Sequence, residues 1–368
     1  MSDARLAELP PQARRGALGW ARAHLFGGWA SSLTTLCLVG LVVWLAPGLL
    51  RYLIIDAVWS AADGGACRAA GAGACWAFIG AKWPFFVYGP YPPELRWRVD
   101  LTMALGAALV AWNLWRGAPR KGLAALALLV AYPIAGFALL YGAPFLGLAI
   151  VPTAQWGGVF LSLLVAAVGI VFSLPLGVLL ALGRRSKLPI VRMASVGFIE
   201  IVRGVPLITV LFMANVMLPL FVPEQWSPDR LLRPLVGVAL FASAYMAEVV
   251  RAGLQAIPKG QIEGAQALGL SPWRMQRHVV LPQALALVIP NIVNTFIGLF
   301  KDTTLVAAVG ALDFLRAIDV ARLDPAWAGP TIATTGYVFA GLFYFVFCFA
   351  MSRYSLGVER RLARASAR

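Results

Sequence analysis

Charge is what this sequence has least of. Of its 368 residues, 13% are Asp, Glu, Lys or Arg, while 60% are hydrophobic. A soluble domain carries about 25% charged residues, so a single soluble domain is excluded. Histidine is nearly absent, with only His24 and His278, and no H-E-x-x-H or Cys/His cluster offers a metal site. A G-x-x-x-x-G-K-[ST] phosphate loop and a G-x-S-x-G elbow are both missing. The chain therefore has no cofactor of its own and no catalytic constellation, and it reads as a non-enzyme. Ionisable residues inside apolar runs occur in only two places, fewer than a proton- or sodium-coupled carrier usually shows.

The charges are also segregated. Trp29–Leu50, Gly122–Gly183, Gly204–Pro223, Val279–Phe300 and Pro325–Ser352 contain none. About 20 helical residues cross a bilayer core, so each run holds a span, and Gly122–Gly183 holds two, divided near Pro144, Pro152 and Gln155. The fold class is all-α and polytopic, with eight expected spans at about 29–50, 99–115, 122–146, 157–183, 191–221, 234–255, 282–306 and 331–352. The first apolar run starts too late and runs too long for a cleaved signal.

Net charge is +15, but no basic stripe or nucleic-acid motif accompanies it. The basic residues mark sidedness instead. With the N-terminus inside, the cytoplasmic segments hold roughly twice as many Lys and Arg as the outer ones. Both termini are then expected in the cytoplasm. Arg96 and Arg98 lie close to a span on the outer side, in a long loop over 51–98. That loop also holds Cys67 and Cys75, eight residues apart in an oxidising compartment, which suggests a local disulfide; the alternative is two free thiols. Cys37 and Cys348 fall inside spans.

The most informative segment is Pro258–Pro282, between two spans on the cytoplasmic side. Gly260–Leu268 has the composition of a short helix, and Gly269 suits a left-handed residue ending it. Ser271 is placed to cap a second helix with Pro272 at its first position. Ile262, Ala265 and Leu268, at spacings of three, form one apolar face. Gly264 and Ala265 are small enough for another surface to approach. The physics fits either a docking element for a cytoplasmic motor or a hairpin packed on its own bundle.

Glu263-Gly264-Ala265, three residues, Gly269, nine residues, Val279, one residue, Leu281-Pro282 resembles the E-A-A, x3, G, x9, I-x-L-P signature of ABC importer permeases. Gly264 and Val279 are the departures. Glu200 to Leu207, Glu248 to Gly253 and Lys301 to Leu305 resemble the polar-amino-acid branch, with Thr304 where that branch usually has Ser. The likeness covers about 153–358. This implies a five-span type I permease core with three extra N-terminal spans, as in the larger permease of a general L-amino-acid importer. The divisions are a cytoplasmic segment 1–28, an extension 29–152, a permease domain 153–358 with its loop at 256–282, and a basic tail 359–368. It further implies a bacterial inner-membrane subunit surrounded by lipid and coupled through Glu263–Gly269. Its implied partners are a second permease, two ATPase subunits binding ATP and Mg, and a periplasmic amino-acid-binding protein. The competing class is a secondary transporter or channel, which needs no nucleotide.

Two charged clusters interrupt apolar runs. Glu200 and Arg203 are three apart on one helix face and are placed to pair. Pro206 frees the carbonyl of Val202, so the helix should kink or break there, as transporters do beside a cargo path. Lys301-Asp302-Thr303-Thr304 must face protein, water or cargo. Asp302 and Asp313 are candidate acceptors for a cargo ammonium, and Thr303 and Thr304 offer hydroxyls. Alternatively, Asp302 pairs with a basic residue such as Arg203 and holds the bundle.

Overall fold

A computed structural model describes residues 17–115 and 117–366. The first sixteen residues of the expected cytoplasmic segment, Arg116 and the last two residues of the basic tail lie outside the described residues.

The helices follow the apolar runs. After α1 (Ala17–Leu25) and α2 (Trp29–Leu50), the outer loop holds α3 (Trp76–Tyr88) and leads to α4 (Arg96–Leu114). A span built from α5 (Lys121–Leu126) and α6 (Tyr132–Tyr141) completes the extension. The core follows with α7 (Gly158–Arg184), α8 (Pro189–Arg203), a span built from α9 (Leu207–Phe212) and α10 (Leu218–Phe221), and α11 (Leu232–Gln255). The loop helices α12 (Lys259–Ala267) and α13 (Pro272–Met275) precede a span formed by α14 (Leu281–Leu287) and α15 (Ile289–Asp302). The chain ends with the short α16 (Phe314–Ala321) and the long α17 (Ile332–Ser366). Leu312 and Asp313 pair with Gly157 and Gly158 in a brief parallel bridge.

Six helical stretches are long and apolar enough to cross a membrane, and a seventh arises if α8 and α9–α10 are one span bent by 107°. That bend falls at Gly204–Pro206, where the missing proline N–H breaks the ladder. The remaining expected span, 99–115, is helical as α4 but less apolar, because Arg96, Arg98 and Asp100 occupy its first turns. Those charges are accommodated locally. Arg98 is 3% exposed and donates to the Ala149 carbonyl at 2.8 Å, Asp100 accepts from the Tyr88 hydroxyl at 2.6 Å, and Arg96 lies over the Tyr88 ring. Burial, with the hydrogen bond to Asp100, pushes the Tyr88 hydroxyl up to about 12.

The core centres on α7 against α11. Small residues let the two helices approach, as is usual where lipid gives no hydrophobic drive between helices. A Cβ on Gly177 would stand 2.7 Å from the Met246 Cβ, and one on Gly169 would stand 3.1 Å from Val238 Cγ1 and 2.7 Å from Leu299 on α15. By contrast α2, apolar on all sides, has no buried residue, as expected for a helix solvated by lipid.

The loop over 51–95, expected on the outer side, is fastened to the far end of the chain. Cys67 and Cys75 are bridged, with Cα atoms 5.6 Å apart. The Cys75 N–H donates to Thr335 Oγ1 at 2.9 Å, Gly64 N–H to the Ala326 carbonyl at 2.9 Å, and Arg68 to the Ala328 carbonyl at 3.0 Å. Lys82 pairs with Asp324, and its hydrogen bond holds the Asp324 carboxyl below the usual carboxylate range. Phe78 and Phe86 are buried with Phe314, Ile318 and Trp327 in one apolar cluster. We propose that the loop is oxidised in the cell. Thiol labelling of denatured, unreduced protein should capture Cys37 and Cys348 and spare Cys67 and Cys75 until reductant is added. Capture of all four would show a reduced loop or an inverted topology.

Candidate functional site

A cavity of about 430 Å³ opens between α9, α11 and α15, with Pro206, Leu207, Phe241, Tyr245, Thr295 and Asp302 among its lining residues. Each helix contributes one face. Thr295, Leu299 and Asp302 recur at spacings of four and three on α15, and Phe241 and Tyr245 are four apart on α11. Pro206 enters because the break after Gly204 turns the chain sharply and leaves it in an extended conformation before α9. The wall is mostly apolar with a few polar groups, the usual character of a small-molecule site. Asp302 is its one carboxylate and makes no ion pair among the described residues. The alternative in which Asp302 pairs with Arg203 is therefore not what the structure holds.

Glu200 and Arg203 do not pair with each other either, which corrects the sequence reading. Arg184 donates to both Glu200 and Glu248 at 2.9 Å. Glu248 also accepts from Arg251 at 2.7 Å and lies 3.8 Å from Arg203. The reason is tertiary. α8 crosses the ends of α7 and α11, and the Glu248 side chain, 15% exposed, is a better desolvated acceptor than an exposed neighbour three residues away. The Arg203 guanidinium meanwhile sits 5.4 Å from the Tyr245 ring centroid, at the edge of the cavity.

The other candidates fall outside the cavity lining. Thr303 is fully buried and donates to the Phe300 carbonyl at 2.8 Å, and Thr304 donates to the Lys301 carbonyl at 3.0 Å. Both hydroxyls serve the 3-10 turn that follows α15. Asp313 is fully buried and caps α16, accepting from the Leu315 and Arg316 N–H groups. Ser162 Oγ takes the Phe314 N–H at 3.0 Å, so three orphan donors of that helix are satisfied. Burial pushes the Asp313 carboxyl up to about 6 despite those donors. Tyr245 and Thr295 were missed from sequence, since a tyrosine and a threonine in apolar helices carry no signal until neighbouring helices are placed.

The Pro258–Pro282 loop forms the helix–turn–helix that its sequence describes. Gly269 has φ of 70°, and its N–H donates to the Gln266 carbonyl while Leu270 N–H reaches back to Ala265, a Schellman closure. Pro272 starts α13, but Ser271 makes no side-chain cap. The expected apolar face divides. Ala265 is buried and Ile262 packs in the cluster around Met246 and Val280, while Leu268 stands 82% exposed beside the exposed Glu263 and Gly264. A π turn at Gln276–Val280 precedes Leu281 and Pro282 and eases the proline into the span. Gln283 donates to Gln261 at 3.2 Å and braces the loop. The result is a rigid projection held from below by its own bundle and bare on its outer side.

Residues 173–364 match the family described as binding-protein-dependent transport system inner membrane component. The chain is 51% identical to the inner membrane amino-acid ABC transporter permease protein YhdY of Escherichia coli K12, over 94% of this chain and 93% of that protein. It is 40% identical to the glutamate/glutamine/aspartate/asparagine transport system permease protein BztC of Rhodobacter capsulatus, over 96% and 95%. A solved amino acid ABC transporter with histidines aligns at 27% identity and a TM-score of 0.49, over 55% of this chain and 92% of that one. The chain belongs to the binding-protein-dependent transport system inner membrane components, among the amino-acid ABC transporter permeases.

Proposed function

We propose that the chain carries L-amino acids into a bacterial cell through the cavity between α9, α11 and α15, as one permease of a pair. Its termini are cytoplasmic, and the outer loop faces the periplasm. A periplasmic binding protein delivers cargo to the outer side. Two ATPase subunits, holding ATP and Mg, clasp the Glu263–Gly269 projection, and the chain itself catalyses no reaction. Closure of the motor pair moves α12, and Ile262 passes that movement to α11 and α14 through the cluster it packs against.

The observation that carries this reading is the lone Asp302 carboxylate in a mostly apolar cavity whose rim holds Arg203. An amino acid presents an ammonium and a carboxylate, so its site needs one acceptor and one donor. Asp302 is the acceptor, and Arg203, held only loosely by Glu248 at 3.8 Å, is the donor. Tyr245 offers a hydroxyl between them, and Thr295 Oγ1, which donates to the Asn291 carbonyl at 2.8 Å, adds an acceptor on the cavity wall.

Asp302→Asn keeps the shape and removes the charge. The assembled complex should retain basal ATP turnover while uptake falls about tenfold or more, in line with loss of a charge-assisted hydrogen bond worth about 1.5–3 kcal/mol. Thr304→Val, whose hydroxyl only returns to its own helix, should transport normally. Normal uptake by Asp302→Asn would move the cargo site to the partner permease, and failure to assemble would make Asp302 structural.

A further inference from the structure

The helix α8 has three distinct sides. Ser195, Ile199 and Val202 lie toward the bundle, with Ser195 and Ile199 buried, while Val191 remains 41% exposed. Ile190, Met193 and Ile201 form a second side and are 78%, 74% and 70% exposed, with Ala194 and Gly197 between them on the same stripe. The polar edge holds Arg192, Glu200 and Arg203. Ahead of the helix come Arg185 and Lys187, and no acidic residue occurs from Gly183 to Ile199. Lys187 and Arg192 are exposed, and neither makes an ion pair within the described residues.

Position adds to pattern. α7 ends at Arg184, the end of an apolar span of 27 residues, so Arg185 to Arg192 begin at the boundary where that span leaves the bilayer. α8 is turned 107° from the α9–α10 span that follows, so it runs nearly across the direction of a spanning helix. An exposed apolar stripe beside a basic edge, lying along the boundary, matches an interface between hydrocarbon and headgroups. A soluble acidic partner would meet the basic edge but leave Ile190, Met193 and Ile201 in water.

We propose that α8 is an interfacial helix that binds anionic phospholipid headgroups through Lys187 and Arg192, with Ile190, Met193 and Ile201 in the acyl region. The far end of α8 carries Glu200, bonded to Arg184, and Arg203, at the rim of the cavity beside Tyr245. A rigid helix of 15 residues therefore joins the charge of the leaflet to the polar rim through which cargo passes. The contact lies on the cytoplasmic leaflet and rests on the orientation proposed above. Anionic lipid, by holding the front of α8 at the surface, fixes where Arg203 stands and raises the transport rate.

The test uses the intact complex, with its partner permease and ATPase subunits, in zwitterionic vesicles and in vesicles of about one-third phosphatidylglycerol. The variants are the wild type and Lys187→Gln/Arg192→Gln. Wild-type uptake should be several-fold higher in the anionic vesicles, and ~0.5 M salt should cancel the gain because the screening length falls to a few ångströms. The double variant should transport at the zwitterionic rate in both. Mass spectrometry of lipid retained by the purified complexes should show about tenfold weaker enrichment of phosphatidylglycerol on the double variant, since each surface cation contributes measurably to such binding. Equal enrichment and equal lipid response in both proteins would overturn the proposal. Loss of the partner permease from the double variant would overturn it too, by making the surface a protein contact. If neither protein moves an amino acid yet the wild type alone enriches the anionic lipid, the lipid site stands and the cargo reading fails.

Discussion

Gly269→Asp should leave an assembled complex that hydrolyses ATP without moving cargo. Gly269 sits at φ of 70°, a conformation that costs most residues with a side chain about 1–2 kcal/mol and Asp or Asn less, so the charge of the Asp variant carries much of the expected effect. Space is not the obstacle, because no atom lies within 4 Å of where its Cβ would be. The cost falls on the closure that ends α12, so the projection frays or tilts, and the added carboxylate sits on the bare side that we propose meets the motor. Cargo-stimulated ATP turnover should drop to the basal level and uptake about tenfold or more. Gly269→Asn, which tolerates the left-handed region and adds no charge, should recover much of the coupling, and Gly269→Val should recover none. Unchanged uptake by the Asp variant, with all subunits retained, would mean that the turn plays no part in coupling.

Glu248→Gln should be the most damaging single charge removal in the bundle. One carboxylate holds Arg184, Arg251 and, more loosely, Arg203, on three helices. Neutralising it leaves three guanidinium groups crowded with only Glu200 to offset them. Breaking a fully buried pair costs about 3–5 kcal/mol, and the partial exposure of the arginines reduces that here to about 2–3 kcal/mol. The thermal midpoint of the detergent-purified complex should fall by several degrees, and added salt should restore part of it. Arg184→Gln combined with Glu248→Gln should be less unstable than the sum of the single variants. Strict additivity would show that the two side chains do not act together.

The shape of the Pro258–Pro282 loop was legible because its chemistry is local. A glycine that must be left-handed and a proline that must start a helix determine their own neighbourhood, and Gly269 and Pro272 sit where those rules place them. The break at Pro206 was legible for the same reason. Ion pairs were not. Glu200 and Arg203 have a local option three residues apart, but Arg184 and Glu248 arrive from distant helices and win. The cavity was legible only through Asp302, since an unpaired carboxylate in an apolar run needs a reason to be there. Thr303 and Thr304 follow it in sequence, yet they lie in the turn after α15, off the cavity wall, and Thr295, two turns earlier, shares the Asp302 face although its hydroxyl also returns to the Asn291 carbonyl. Nothing in the outer loop announced that it would settle on residues 324–335, because contacts between opposite ends of a chain leave no periodic trace.

That settlement has a consequence for how the protein is made. Cys75 and Thr335 are separated by 260 residues, and the acceptors for Gly64, Arg68 and Lys82 are similarly remote. The outer loop emerges early and must wait for the last span. At about 5–20 residues per second of synthesis the wait is roughly 10–50 s. During it Phe78 and Phe86 have no Trp327 or Phe314 to cover them, while Cys67 and Cys75, only eight apart, can already close on each other. The bridge then acts as a placeholder, keeping a nascent loop compact until the carboxy-terminal end of the polypeptide arrives. A ribosome stalled anywhere before residue 324 would leave an apolar, unsheltered patch, which in the proposed orientation lies within reach of periplasmic quality control.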